Sequence, residues 1–370
     1  MKRWVQWTVL AAAFASTLGL AKAQDIKIAV VGPITGSAAA LGDQMKRGAE
    51  MAVKDINARG GALGKRLDLI LADDACDPKQ AVAAANDVVG KGVVFVAGHA
   101  CSVASIPASA IYHGARVLQM TPASTDPALT DDAAKAGWNN VFRSCGRGDA
   151  EGAVAGKYLA YHYKGKRVAI VHDKTVAVEG RADAAVKAMN AAGLKQTMNE
   201  AITQGDKDFS ALISKMKEEG IDVIYYPGYA TEAGLIVRQA RDQGLKAQFI
   251  GFSGLLTEAY WRITGPAGEG TLMPSQPDPR NALAAWAVVD KFKAEGYDPQ
   301  GPTLYTYAAI QAFAQAVAKA KSIKLDDLSK ALHSMTAQTV VGPLTWDKKG
   351  DITDSKFVFY VWKNGTYAEM

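Results

Sequence analysis

Cysteine is scarce in this chain, with three residues among 370, too few for a disulfide-dense scaffold. The 35 glycines follow no Gly-X-Y period and the prolines number only 13, which excludes a collagen-like or low-complexity chain. The five histidines are scattered, and without CxxC or HxxxH spacing no metal site is expected. GxSxG, HExxH and DxDxDG are also lacking, so catalysis has no motif behind it and no cofactor is expected. The stretch Gly60-Gly61-Ala62-Leu63-Gly64-Lys65-Arg66 is no phosphate loop. That pattern needs Gly at 59 and Ser or Thr at 66, and both positions hold Arg. What is present is an ordinary globular balance of 49% apolar and 21% charged residues, in a length that favours two domains.

Residues 1–23 run from Lys2-Arg3 through an apolar stretch, Trp4 to Leu20, to Ala21-Lys22-Ala23. A basic start, a short apolar run and a small-residue exit spell a secretory signal peptide, cleaved before Gln24. Gln6, Thr8, Ser16, Thr17 and Gly19 interrupt the run, which falls short of a membrane span. Lys2, Arg3 and Lys22 account for three of the 42 basic residues, leaving 39 against 37 acidic, a net +2. The apparent +5 therefore carries no nucleic-acid signal. A soluble, exported, monomeric protein is expected. In an oxidising compartment Cys76 and Cys101 are able to pair, which leaves Cys145 over; three buried free thiols are the other reading.

From Asp25 the chain alternates β-branched runs with amphipathic stretches. Ile26–Gly32, Leu67–Asp73 and Val93–Gly98 suit strands buried on both faces. Leu41, Met45, Ala49, Ala52, Val53 and Ile56 recur at helical spacing, and Ala81–Val89 supplies the next helix. This is βαβαβ, hence an open, doubly wound α/β sheet. The pattern restarts after residue 143 with strands at Arg167–His172, Ile221–Tyr226 and Gln248–Gly251. Helices at Ala182–Ala192, Phe209–Glu219 and Glu232–Gln243 separate them. The linker Pro274–Pro279 precedes helices at Leu283–Ala294 and Thr306–Ala320 and a last strand, Lys356–Trp362.

Ligands of open α/β sheets bind beyond the carboxyl ends of the strands. Two loops there carry suitable chemistry. Gly98-His99-Ala100-Cys101-Ser102 leads into a helical run and offers amide donors and a hydroxyl to a carboxylate, or Ser102 merely caps its own helix. Met120-Thr121-Pro122-Ala123-Ser124-Thr125-Asp126-Pro127 presents hydroxyls on a loop stiffened by two prolines, with Thr125 or Asp126 as an alternative cap. Tyr229 follows a second-unit strand and is placed to lid an apolar ligand, whereas Tyr225 and Tyr226 point to opposite faces of the sheet.

The chain resembles the periplasmic leucine/isoleucine/valine-binding proteins, the solute-binding subunits of branched-chain amino acid ABC transporters. Ile26–Gly32, Gly42-Asp43-Gln44, Asp73–Gln80, Gly98–Ser102 and Thr121-Pro122-Ala123 carry the resemblance. So do Val168–Lys174, Lys207–Ser210, Arg238–Arg241 and Gly342–Asp347. It implies a bilobal type I periplasmic binding fold whose two doubly wound sheets are joined by a three-segment hinge. Lobe 1 would comprise residues 24–143 and 276–346, and lobe 2 residues 144–275 and 347–370. The resemblance also implies a disulfide between Cys76 and Cys101 and a partner membrane permease. The ligand carboxylate would sit at Ser102 and Thr125 with backbone from Ala123, in the loop that holds Ser124, and Tyr229 would match a family aromatic.

Three positions depart from the family pattern. Leu41 and Ala177 stand where aromatics are expected, and Ser253 stands where an acid receives the ligand ammonium. Burying an ammonium without a counter-charge is strongly disfavoured. An aliphatic amino acid is the leading ligand, a carboxylate lacking an ammonium (an aromatic or branched keto acid) the runner-up. Glu179, Glu232 and Glu258 are the candidate substitutes for the missing acid. A secreted hydrolase is the enzyme alternative, and a sensory ectodomain is disfavoured because the chain ends at Met370 without a membrane segment.

Overall fold

The computed structural model describes residues 24–36 and 38–370; the signal-peptide reading of residues 1–23 lies outside the described residues. Five strands form the first sheet: β1 (Ile26–Gly32), β2 (Leu67–Asp73), β3 (Phe95–Gly98), β4 (Leu118–Thr121) and β5 (Val141–Arg143). Their order is β2-β1-β3-β4-β5, all parallel, with Ile28 opposite both Leu69 and Phe95. The central strands β1, β3 and β4 are almost wholly buried because helices cover both faces. Each Ile or Val buried there contributes about 1.5–3 kcal/mol.

Helix α1 (Ala39–Ala58) buries Met45, Ala49, Ala52 and Ile56, the stripe expected from the spacing, while Leu41 remains exposed. Helix α2 (Pro78–Gly90) starts at Asp77, whose carboxylate accepts the Lys79 and Gln80 N–H groups ahead of a first-turn proline. Helices α3 (Ser102–Gly114) and α4 (Ala128–Lys135) complete the unit. The chain returns to this core late. Helix Thr303–Ala320 packs on β3, with Phe313 stacked on Phe95 at 4.4 Å.

Helices α5 (Gly148–His162) and α6 (Val176–Ala191) belong to the second unit. Its parallel strands are β6 (Val168–His172), β7 (Met198–Ala201), β8 (Val223–Tyr225), β9 (Gln248–Ile250) and β10 (Leu272–Ser275). After a small ribbon of β11 (Ala337–Thr339) and β12 (Gly342–Leu344), β13 (Val358–Lys363) and β14 (Thr366–Glu369) extend the second sheet. The order is β14-β13-β10-β9-β8-β6-β7. The last two run antiparallel, so the single terminal strand expected from sequence is the first arm of a hairpin turning at Asn364-Gly365.

Other differences are local. The third strand starts at Phe95, because Val93 and Val94 lie in the approach to it, and the stretch Leu283–Ala294 opens with a 3-10 turn before its helix at Trp286. Among the described residues no helix is long and apolar enough to cross a membrane, and no cluster of three metal-ligating side chains occurs.

Three segments connect the units, after β5, after β10 and before β13. Gln276 ties them together: its Oε1 accepts the Gly146 N–H (3.0 Å) and its Nε2 donates to Ser355 Oγ (3.4 Å). Asp351 and Ile352 still pack with the first unit, Asp351 against Arg143 and Ile352 against the core that holds Trp346.

Candidate functional site

A cleft of about 1040 Å³ opens between the two units, at the upper end of the range for ligand sites. Leu41, Ala123, Thr125 and Ser253 line it, as does Glu151, which nothing in the sequence singled out. Leu256 and Phe357 add apolar wall.

The first wall is built from the ends of β3 and β4. Asp73 and Asp74 hold a tight turn through Ala75 and Cys76, two non-glycine residues in the left-handed region. The turn brings Cys76 to Cys101, and the two form the disulfide. Asp74 also accepts from His99 Nδ1 (2.6 Å), so His99 Nε2 is left to accept from the Tyr112 hydroxyl (2.9 Å). All three side chains are wholly buried, and burial pushes the Tyr112 hydroxyl pKa well up. This chain of bonds fixes the loop before α3 without drawing on Ser102.

Ser102 is the first residue of α3, not its cap, which is Cys101. Its hydroxyl accepts the Asp126 N–H (3.2 Å) and so links the two candidate loops. In the second loop Thr121 Oγ1 donates to the His99 carbonyl (2.7 Å) and accepts from Ser124 N–H (2.9 Å). Ser124 turns its hydroxyl away from the cleft toward Ser105 and the His99 and Ala100 carbonyls. It braces the loop that presents Ala123 and Thr125. The cap of α4 is Pro127, although Asp126 accepts the Ala128 N–H (2.9 Å).

Arg143, fully buried at the end of β5, clamps this loop from below by donating to the Ser124 and Asp126 carbonyls. It pairs with Asp351 (2.8 Å), which also meets Arg147 (2.7 Å). Arg147 extends the network to Asp131 and Asp149. The hydrogen bond from Arg147 holds Asp131 far below the usual carboxylate range against opposing burial, with Lys349 adding to it. At Asp149 burial acts upward and is overridden by the hydrogen bond and charge of Arg147. Burial raises the Cys145 thiol to about 11, so the spare cysteine is an unreactive core group.

The second wall depends on a close approach of α5 and α6. A Cβ at Gly152 would lie 2.3 Å from the Arg181 carbonyl oxygen, and one at Gly156 2.2 Å from that of Ala185. Only glycine permits this contact, and it sets Glu151 beside Arg181, with Nε 3.6 Å from Oε2. Glu151 Oε1 accepts the backbone N–H of Ser253 (2.7 Å). Burial raises the Glu151 pKa against the pull of Arg181 and that N–H. Arg181 stacks over Phe252 at 4.5 Å, donates to the Ala177 carbonyl (3.2 Å) and reaches across to Thr125 Oγ1 (3.3 Å). Ala177, half-buried, thus acts through its backbone. Tyr229 is 44% exposed and meets Phe252 edge-on, and like Ser102 and Ala177 it does not line the cleft. Tyr225 and Tyr226 are both buried and belong to different core layers, as alternation requires.

The missed signal was readable in part: Gly148, Gly152 and Gly156 recur every four residues on α5, with two acids, Asp149 and Glu151, between the first two. Such a stripe marks a close helix contact, but by itself it names neither the partner helix nor the charge that helix brings.

Two open α/β units facing each other across a ligand-sized cleft, joined by three crossing segments, define a bilobal binding protein. The family model of the periplasmic binding proteins matches residues 25–366, and the chain belongs to this family. The Leu/Ile/Val-binding protein homolog 2 of Brucella abortus is 45% identical over 342 residues, 92% of this chain and 91% of that protein. A leucine-, isoleucine-, valine-, threonine- and alanine-binding protein of Pseudomonas aeruginosa is 42% identical over 354 residues, covering 94% and 93%. The structure of an ABC transporter substrate-binding protein from Desulfitobacterium hafniense in complex with Leu superposes with a TM-score of 0.79 at 28% identity. It covers 94% of this chain and 100% of that one. The family resemblance and the type I fold read from the sequence therefore hold, and a periplasmic location goes with the family.

Proposed function

We propose that the protein is the substrate-binding component of an ABC importer, capturing a branched-chain or other hydrophobic amino acid and delivering it to a membrane permease. The carrying observation is the cleft, with the Thr125 hydroxyl on one wall, apolar side chains beside it and Glu151, paired with Arg181, on the other. The names and folds of its relatives support the same reading.

In this reading Ser102 and Thr125 hydroxyls hold the ligand carboxylate with the backbone at Ala123, and Ser124 keeps that loop in place. Leu41 and Ala177 leave room for the apolar side chain, Ser253 lies at the ammonium end, and Tyr229 closes over the ligand. The moving units are residues 24–143 with 276–353 and 144–275 with 354–370. In this reading the third boundary is put later than the sequence expectation of 346/347, which the packing of Asp351 and Ile352 on the first unit supports. The protein acts as an exported monomer, cleaved before Gln24, and releases its ligand unchanged.

Thermal unfolding with a panel of amino acids and their 2-oxo acids tests this. Stabilisation of about 2.7 kcal/mol is expected at a hundredfold excess of free ligand over Kd, with leucine, isoleucine or valine among the ligands. No shift with any hydrophobic amino acid, or turnover of a bound one, overturns the reading.

A further inference from the structure

We infer that Glu151, set against Arg181, is the carboxylate that receives the ligand's ammonium, doing from α5 what an acid at position 253 would do. The inference rests on the amino-acid reading of the cleft.

Glu151 lines the cleft, is 4% exposed, and takes the Ser253 N–H on Oε1. The negative charge missing from the Ser253 side chain is therefore supplied at the Ser253 backbone. The other acids are placed otherwise. Glu232 is committed to the Gly205 N–H (2.9 Å), Glu179 is exposed to solvent, and Glu258, although it also lines the cleft, is exposed and therefore screened.

The pair is also incompletely satisfied. Arg181 Nε is buried without a hydrogen-bond partner, and so is the Tyr225 hydroxyl, whose residue is wholly buried and which feels the charge of both Glu151 and Arg181. Buried polar groups are rarely left unpaired unless something else fills them.

Charge balance selects the ligand. Glu151 and Arg181 together are neutral, and Arg181 already touches Thr125 Oγ1. A carboxylate seated at Thr125 meets the guanidinium, while the ammonium meets Glu151, so each charge of a zwitterion gains a counter-charge. A 2-oxo acid takes the guanidinium but leaves the Glu151 carboxylate buried with nothing in exchange. The pair thus favours α-amino acids over their keto counterparts at a site whose position 253 lacks the charge.

Calorimetry on the wild type and Glu151→Gln, with L-leucine and 4-methyl-2-oxopentanoate, is the test. Leucine affinity is expected to fall roughly 30-fold or more in the variant, as for one partner removed from a buried charge pair. Affinity for the oxo acid should hold or rise. If Glu151→Gln does not fold, Glu151→Gln/Arg181→Met leaves no buried charge unpaired, and the ratio of leucine to oxo-acid affinity should still fall at least tenfold. Leucine binding unchanged in the variant, or equal weakening of both ligands, overturns the inference alone. A wild type that binds no hydrophobic amino acid overturns the amino-acid reading itself.

Discussion

The two walls of the cleft are built on different principles. The first is a pair of loops at the ends of adjacent parallel strands, β3 and β4, whose backbone is fixed by hydrogen bonds among His99, Thr121 and Ser124. The second joins the Glu151 and Arg181 side chains of α5 and α6 to the Ser253 backbone in the loop after β9, with no local motif linking them. A wall made of backbone and hydroxyls suits the invariant end of a ligand. A wall made of side chains brought from distant segments is where specificity can change by single substitutions.

Arg143 breaks the first wall most severely. Arg143→Met strands the Ser124 and Asp126 carbonyls and removes one partner of Asp351, at an expected cost of about 3–5 kcal/mol. Urea denaturation reads the cost, and a loss below about 1 kcal/mol would mean that the loop holds itself without the clamp. Next in size, on the proposed reading that both hydroxyls hold the ligand carboxylate, Ser102→Ala and Thr125→Ala should each weaken ligand binding by about 1–3 kcal/mol. Calorimetry should show amino and oxo acids affected alike. A selective loss of the amino acid would shift the ammonium to this wall and erase the contrast with Glu151.

The smallest expected effect lies at the joint between the walls. Asp131 and Asp149 have folded-state pKa values below those of the unfolded chain, so the unfolded state binds more protons in acid. Their contribution to stability is present above about pH 4 and is lost as pH falls toward the folded values. Denaturation of Asp131→Asn and wild type at pH 7 and pH 3 should show a difference at neutral pH that shrinks in acid. A difference that stays constant would mean that charge at this joint is not what Asp131 contributes.

Legibility followed the range of the interactions. Ile26–Gly32 and Leu67–Asp73 were readable to the residue from their branched apolar residues, but only the first is buried on both faces: β2 is an edge strand with Asp68 and Leu71 exposed, because no strand covers its outer side. The cleft side of Ala123 and Thr125 was readable because a loop after a parallel strand has one place to go. Ser124 was misplaced within that loop, since alternation does not govern irregular backbone and its hydroxyl finds Ser105 instead. Glu151 was invisible: it is one acid on a glycine-rich helix, and its meaning comes from Arg181 thirty residues on and Ser253 beyond that.

The sequence by itself determined the two α/β units, the family and the loop that brings Ala123 and Thr125 to the cleft, since these depend on local periodicity and on motifs a few residues long. It also determined what was missing, the acid at position 253. Tertiary structure alone decided what takes its place. The close packing of α5 on α6 at Gly152 and Gly156 brings a buried carboxylate and a guanidinium to the cleft, and electrostatic pairing depends on distance in space rather than along the chain.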